Sequence, residues 1–162
     1  LMVRMKRLSE RFGRMRAGRQ AGELMDLAQI LRDTRSIAIV GASNNPPARA
    51  SHDIWTYLKA AGGYDLYLVN PTISDVDGTP PVYPSLADLP VVPDLVDVFR
   101  RRDHLPEVLA DTIAVGAKVL WLQLGGLWDP QIARDGEAAG LQVVMDRCIK
   151  VDHARLLGSA GF

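Results

Sequence analysis

The stretch that decides the fold is Ser36-Ile37-Ala38-Ile39-Val40-Gly41-Ala42-Ser43, a short apolar run that stops at a glycine. A polar, proline-containing segment follows it, and a helical pattern begins about ten residues after the glycine. Gly41 allows a tight turn and the close approach of a ligand because it has no Cβ. The next helix offers unpaired N–H groups at the positive end of its dipole. The stretch therefore predicts a phosphate-bearing ligand, and Gly41→Val is expected to reduce its binding more than folding.

Strands and helices alternate outward from this stretch, without an internal repeat or a long linker. The predicted main strands are short and apolar, as expected when both faces of a parallel sheet are covered: Ser36–Val40, Asp65–Val69, Leu95–Phe99, Lys118–Leu122 and Gln142–Met145. A further short extended piece is predicted near Val82-Tyr83. Alternation of this kind predicts parallel strands joined by right-handed crossovers. The fold class is therefore α/β, a doubly wound, Rossmann-like parallel sheet in a single domain.

The helices between the strands are predicted from their apolar spacing, caps and stops. The predicted helices are Glu23 to Arg32, a helix capped by Ser51 and stopped by Gly62-Gly63, one capped by Asp103 and stopped by Gly116, and one from Asp129 to Ala139. The last predicted strand is followed by Asp146-Arg147-Cys148, and no helix is predicted after it.

Charge is distributed unevenly along a chain whose net charge is zero. Residues 1–20 hold seven Arg or Lys residues and one acid, Glu10. We interpret residues 1–22 as a basic N-terminal extension, with a nucleic-acid-binding arm or a transit peptide as the alternatives, and residues 23–162 as the domain. No apolar run approaches the roughly 20 residues of a membrane span. Cys148 is the sole cysteine, which suits a reducing, cytoplasmic location.

Polar or glycine-rich segments follow every predicted strand, and ligands of such sheets lie at these carboxyl ends. An NAD site usually has Asp or Glu at the end of the second strand, where it binds the ribose hydroxyls. Here the second strand ends at Asn70, a neutral residue that would tolerate a phosphorylated ribose, with Arg49 and Arg100 as candidate phosphate partners. The pattern favours coenzyme A or NADP over NAD, although Asn is also a common turn former.

Five segments resemble, in order, those of the small stand-alone CoA-binding domain proteins. These proteins are similar to the N-terminal, Rossmann-like domain of the succinyl-CoA synthetase α subunit. The segments are Ile37–Ser43, Val69–Pro71, Val96–Arg100, Leu120–Gly125 and Val144–Cys148, and the likeness extends over roughly residues 23–157. The resemblance implies a doubly wound CoA-binding fold, and it does not imply an activity.

The resemblance also implies where the ligand lies, at the strand ends and at the start of the helix after the first loop. The implied binding residues are Gly41, Ala42, Ser43, Arg49, Ser51, Asn70, Pro71, Phe99, Arg100, Gln123, Leu124 and Gly125. The synthetase subunit has a further domain with a phosphorylated histidine, which His52, His104 and His153 do not match. Acyl-CoA synthesis by this chain alone is therefore not expected.

Reactive side chains form no evident catalytic group in the sequence. Arg147 could lower the pKa of the neighbouring Cys148 thiol, so that a mixed disulfide with CoA is an alternative to an inert cysteine. Asp146 and Arg147 are alternatively a structural pair. The three histidines lack the spacing of metal ligands. No metal site and no catalytic residue are predicted.

The leading hypothesis is a module that binds coenzyme A or an acyl-CoA without chemistry of its own. It would act as a carrier, as a sensor or as the partner subunit of an acyl-CoA-metabolising enzyme. A homo-oligomer is the alternative to assembly with a partner enzyme. The alternative from another class is an NAD(P)-dependent oxidoreductase, for which a single domain leaves little room for a substrate site. A nucleic-acid partner bound through the basic extension is a third hypothesis, and no membrane association is expected.

Overall fold

A computed structural model describes residues 27–43, 49–78 and 81–158 of the protein, with Arg49 described by its backbone only. The chain divides after Asp33 into two units, and the described part of the first is a helical segment at residues 27–33. This segment overlaps the predicted helix Glu23 to Arg32. The predicted basic extension, residues 1–22, lies outside the described residues.

The second unit contains one sheet of six parallel strands, in the order β3-β2-β1-β4-β5-β6. The strands are β1 (Ser36–Val40), β2 (Asp65–Val69), β3 (Val82–Tyr83), β4 (Leu95–Val98), β5 (Val119–Gln123) and β6 (Gln142–Arg147). The chain runs outward from β1 to β3 and then returns to β4 on the other side of β1. This reversal is the switch point of a doubly wound sheet. The predicted fold class is confirmed.

Four helices lie in the described part of the second unit, α1 (Arg49–Ala61), α2 (Leu105–Val115), α3 (Pro130–Ala138) and α4 (Ile149–Leu156). Two predicted signals are confirmed. The Asp129 side chain caps α3 by accepting hydrogen bonds from the backbone N–H groups of Gln131 and Ile132, at 3.1 and 3.3 Å. Gly116 ends α2 in the left-handed region, with φ 82°. None of the described helices is long and apolar enough to cross a bilayer.

Two predicted caps are wrong. The helix expected to begin at Ser51 begins at Arg49, so Ser51 lies inside its first turn and is 2% exposed. Asp103 belongs to a short 3-10 turn, Arg102–His104, and α2 begins only at Leu105, where the following proline suits the first turn of a helix. The helix α4 was not predicted, and β6 runs two residues further than expected, to Arg147.

The core lies on both faces of the sheet, because successive strand residues point to opposite faces. On one face, Val96 and Val98 of β4 and Leu120 and Leu122 of β5 pack in one cluster with Leu105 and Leu109 of α2 and Ile132 of α3. Ile37, Ile39 and Trp121 alternate with these residues and are fully buried toward the other face. Because both faces of the sheet are covered, the carboxyl ends of the strands are where a ligand of such a sheet binds.

Candidate functional site

The switch point of the sheet lies where β1 and β4 end side by side. The backbone N–H of Gly41 donates to the carbonyl of Val69 at 2.9 Å, and the N–H of Phe99 donates to the carbonyl of Val40 at 2.8 Å. Gly41 has φ 91°, and a Cβ there would lie 3.0 Å from the carbonyl carbon of Phe99 and closer still to its oxygen. Gly41 is therefore needed to form the turn itself, so Gly41→Val would disturb folding as well as binding, and the larger effect on binding stays a prediction.

Asn70 joins the loop after β2 to the loop after β1. Its Nδ2 donates to the carbonyl of Ala42 at 2.7 Å, and its Oδ1 accepts from the N–H of Thr72 at 2.8 Å and from its hydroxyl at 2.7 Å. The turn-forming interpretation of Asn70 is therefore correct for its side chain. Its neutral amide also keeps a carboxylate away from this part of the edge. Pro71 follows it and is exposed.

Arg100 is a positively charged residue in the segment that follows β4 at the switch point. It is the second residue after β4 and is half-buried, as is Phe99 before it. Within the described part of the chain, Arg100 forms no hydrogen bond and no ion pair. Its neighbour Arg101 is exposed, and Arg102 lies 3.8 Å from the carboxylate of Asp129. Arg100 therefore keeps its charge available for an anion.

The other predicted residues of the first loop are described in part. Ala42 is buried and Ser43 is half-buried after Gly41, while residues 44–48 lie outside the described ranges. Arg49 is the first residue of α1, and Ser51 is buried in that first turn. The start of α1 thus lies on the carboxyl side of β1, where the N–H groups of a helix favour an anion.

The loop after β5 is held against the end of β6. Gln123 is buried, and its Oε1 accepts from the N–H of Ile149 at 3.4 Å. The N–H of Leu124 donates to the carbonyl of Arg147 at 3.1 Å, and the Leu124 side chain is 61% exposed. The N–H groups of Gly125 and Gly126 both donate to Oδ1 of Asp146, at 3.1 and 3.2 Å. The loop is therefore fixed by hydrogen bonds before any ligand binds.

Asp146 is a functional candidate that the sequence reasoning did not select. The sequence analysis places it in the strand-end segment Val144–Cys148 and offers a structural pair with Arg147, whereas its carboxylate accepts hydrogen bonds from the glycine loop across the edge. Arg147 forms a bidentate ion pair with the buried Asp152, at 2.7 and 2.8 Å. The residue type was a signal in the sequence, because Asp tolerates the left-handed backbone, and Asp146 has φ 53° at the end of its strand.

Cys148 and the histidines do not assemble into a reactive group. Cys148 is half-buried at the start of α4, and its side chain makes no capping hydrogen bond. His52 pairs with Asp77, and Nδ1 of His153 lies 2.8 Å from the hydroxyl of Tyr57, which joins α1 to α4. Among the described residues, no cluster of three or more His, Cys, Asp or Glu side chains could hold a metal ion.

Two buried groups titrate abnormally away from this edge. Burial raises the pKa of Asp97, in the centre of β4, well above its ordinary value. Burial likewise lowers the pKa of His153. Both shifts follow from the cost of charging a group that is shielded from water. Neither residue follows the carboxyl end of a strand, so we assign neither to the ligand site.

Comparison with known proteins supports the family and the fold. A family model described as CoA binding domain matches residues 35–154. The uncharacterized protein YneT of Bacillus subtilis (strain 168) is 37% identical over 129 residues, which are 80% of this chain and 93% of that protein. The structure of a hypothetical protein from Pyrococcus horikoshii OT3 is 36% identical, with a TM-score of 0.76 over 83% of this chain and 92% of that one.

A larger enzyme contains a similar domain. Acetyl-coenzyme A synthetase 1 of Ca. Korarchaeum cryptofilum, solved in complex with phosphate and ADP, is 25% identical with a TM-score of 0.58. The match covers 67% of this chain and 25% of the synthetase. The resemblance inferred from the five strand-end segments is thus confirmed by both small proteins and a domain of a multidomain synthetase.

Proposed function

The chain belongs to the CoA-binding domain family, and from this premise we propose that it binds coenzyme A or an acyl-CoA at the carboxyl edge of its sheet. The observation that carries the proposal is the switch point itself. There the Gly41 turn and the half-buried Arg100, which has no partner among the described residues, follow adjacent strands. In doubly wound sheets this is the crevice in which nucleotide ligands bind.

The proposed site divides the ligand between two parts of the edge. The loop Gly41–Ser43 and the start of α1, with Arg49 and Ser51, would hold the pyrophosphate. Asn70, Pro71, Phe99 and Arg100 would surround the adenosine, with the Arg100 guanidinium on the ribose phosphate. Gln123, Leu124 and Gly125 would contact the remainder of the ligand. The absence of a carboxylate at Asn70 supports a phosphorylated ribose over NAD.

We propose further that the chain acts as a binding module and not as an enzyme by itself. The synthetase match supports this role, because there a similar domain forms only a quarter of a larger enzyme. A carrier, a sensor and a partner subunit of an acyl-CoA-metabolising enzyme all remain compatible with such a module. Each would use the same site.

A thermal-shift panel tests the proposal, because a ligand that binds only the folded state raises the melting temperature by mass action. CoA and acetyl-CoA are expected to raise it, and NAD is expected to leave it unchanged. NADP carries a phosphorylated ribose and should therefore give a shift in melting temperature between those of CoA and NAD. A shift with NAD and none with CoA would replace the CoA proposal with the oxidoreductase alternative.

The variant Arg100→Ala tests the assignment of the ribose phosphate. Loss of a charge-assisted hydrogen bond should weaken CoA binding by about tenfold. The affinity for dephospho-CoA, which lacks that phosphate, should change less than about twofold. Isothermal titration calorimetry measures both affinities.

The matched control is Arg101→Ala, which removes the same charge from the exposed neighbour. It should weaken CoA only slightly. An equal loss for CoA and dephospho-CoA in the Arg100 variant would place Arg100 elsewhere on the ligand. Equal losses of CoA affinity in the two arginine variants would mean that both residues act only through the general positive potential of the edge.

A further inference from the structure

A one-residue bulge shifts the pairing of β6 with β5 where β6 reaches the carboxyl edge. Trp121 of β5 pairs with Val144, but Gln123 pairs with Arg147, so β6 has one residue more than β5 in this interval. Asp146 lies within the bulge and has φ 53°, in the left-handed region. Bulges commonly redirect a side chain beside a functional site. Here the redirected side chain is the carboxylate that contacts the β5 loop.

The Asp146 carboxylate occupies the N–H groups that a phosphate would otherwise use. Gly125 and Gly126 have φ 127° and 100°, and both donate to the same oxygen, Oδ1. Within the described part of the chain, Oδ2 of Asp146 makes no hydrogen bond or ion pair. This glycine loop therefore presents a negative charge to the edge, whereas the loop after β1 carries no acid among its described residues, 41–43.

The positively charged side chains near Asp146 in the chain contact other groups. Arg147 pairs with Asp152, which is 4% exposed, and Arg155 also contacts that carboxylate at 3.2 Å. Lys150 lies over the ring of Tyr57, toward α1. The remaining exposed side chains of the β5 loop are apolar, with Leu124 61% and Trp128 55% exposed. The β5–β6 end of the edge thus combines one free carboxylate oxygen with apolar surface.

We propose that Asp146 is a specificity-determining residue, which reserves the β5–β6 end for the uncharged pantetheine and acyl part of the ligand. Its Oδ1 positions the Leu124–Gly126 loop, and its free Oδ2 disfavours an acyl group that ends in a carboxylate. This inference rests on the proposed function, because it assumes that a CoA thioester occupies the edge. The phosphates then lie at the opposite end, near Arg100 and the start of α1.

Calorimetric titration with acetyl-CoA and malonyl-CoA tests the proposal, since the two acyl groups differ chiefly by one carboxylate. The wild-type protein should bind acetyl-CoA about two- to fivefold more tightly, the range expected for partly exposed charges. In Asp146→Asn the preference should vanish while acetyl-CoA affinity stays within about twofold. Asn tolerates the left-handed backbone, and its carbonyl oxygen still accepts from the glycine N–H groups.

Two further variants separate charge from loop positioning. Asp146→Gly keeps the left-handed backbone but removes the acceptor, so the N–H groups of Gly125 and Gly126 should exchange faster and both thioesters should bind more weakly. Asp111→Asn removes an exposed acid of α2 and should leave the acetyl-to-malonyl ratio unchanged.

The outcomes distinguish this inference from the proposed function. If the wild-type protein binds neither thioester, the inference is overturned, and the proposed function is overturned with it only if free CoA does not bind either. If it binds them but shows the same ratio as Asp146→Asn, only the specificity role of Asp146 is overturned. Undiminished affinity of Asp146→Gly for both thioesters would overturn the positioning role.

Discussion

Gly41 and Gly140 have the same backbone angle but different surroundings, so together they separate strain from contact. Both have φ 91°, and a Cβ at Gly140 would have nothing within 4 Å, whereas at Gly41 it would strike the carbonyl of Phe99. Gly140→Ala should cost about 1 kcal/mol of unfolding free energy from its left-handed backbone alone. Gly41→Ala should cost at least about 2 kcal/mol more, since the switch point must open.

Urea denaturation of the two glycine variants measures this difference. Equal losses of unfolding free energy would mean that the loop after β1 moves away from Phe99 without a measurable cost. The turn at Gly41 would then be more deformable than its hydrogen bonds indicate. The result also bears on binding experiments at this position. A loss of affinity in any Gly41 variant has to be measured on protein that is still folded, because folding and binding use the same turn.

At the scale of the strand, β4 buries a carboxyl group between apolar neighbours. Asp97 is fully buried, lies beside Ile39 of β1 and Trp121 of β5, and has no hydrogen-bond partner for either oxygen among the described residues. Burial raises its pKa well above the ordinary 3.8. The side chain is therefore expected to keep its proton in the folded protein at pH values above 3.8 at which an exposed Asp has already ionised.

The raised pKa of Asp97 gives the stability a defined pH dependence. Below pH 3.8 both the folded and the unfolded states are protonated at this residue. Above it the unfolded state loses its proton first, so the free energy of unfolding falls as pH rises toward the folded pKa, by at most about 1.4 kcal/mol per pH unit. Asp97→Asn should remove this slope, and Asp97→Leu should in addition raise stability at pH 7.5.

Urea denaturation at pH 4.5, 6 and 7.5 provides the measurement for Asp97. The difference in unfolding free energy between wild type and Asp97→Asn isolates this residue from the other titrating groups. A difference that stays constant over the pH series would show that Asp97 ionises alike in both states. Asp111→Asn is again the matched control, because Asp111 is exposed on α2.

The elements that the sequence predicted well are those decided by local pattern. The bounds of β1 and β2 are as predicted, because Gly41 and Asn70 end apolar runs that are too short for a helix. The cap of α3 is also local, since Asp129 lies directly before the first turn and Pro130 begins it. In each case the residues that decide the boundary are neighbours in the chain.

The features that the sequence did not predict depend on residues far apart in the chain. The bulge in β6 occurs where Asp146 contacts glycines 21 and 20 residues earlier, and no pattern within β6 encodes that contact. The helix α4 has no clear apolar stripe because Asp152 and His153 are buried, through partners on β6 and α1. The ligand edge was thus predictable as a set of strand ends, while its charge distribution required the tertiary structure.

For the whole molecule, the sheet and the predicted binding edge lie within residues 34–162, and the family match begins at residue 35. Removing residues 1–22 should therefore leave CoA affinity within about twofold of the full chain, because no predicted binding residue is lost.

The deletion also removes six net positive charges, because residues 1–22 contain seven basic residues and one acid, Glu10. Any binding of the full chain to DNA should weaken steeply with added salt and be lost in the deletion variant.

Calorimetry with CoA and a salt series with a DNA duplex compare the two chains directly. A deletion variant that no longer binds CoA would show that the basic segment completes the ligand site. The domain boundary predicted at residue 23 would then be wrong in function. DNA binding that survives the deletion would instead assign it to the domain, where Arg100 and Arg101 after β4 are the first residues to replace.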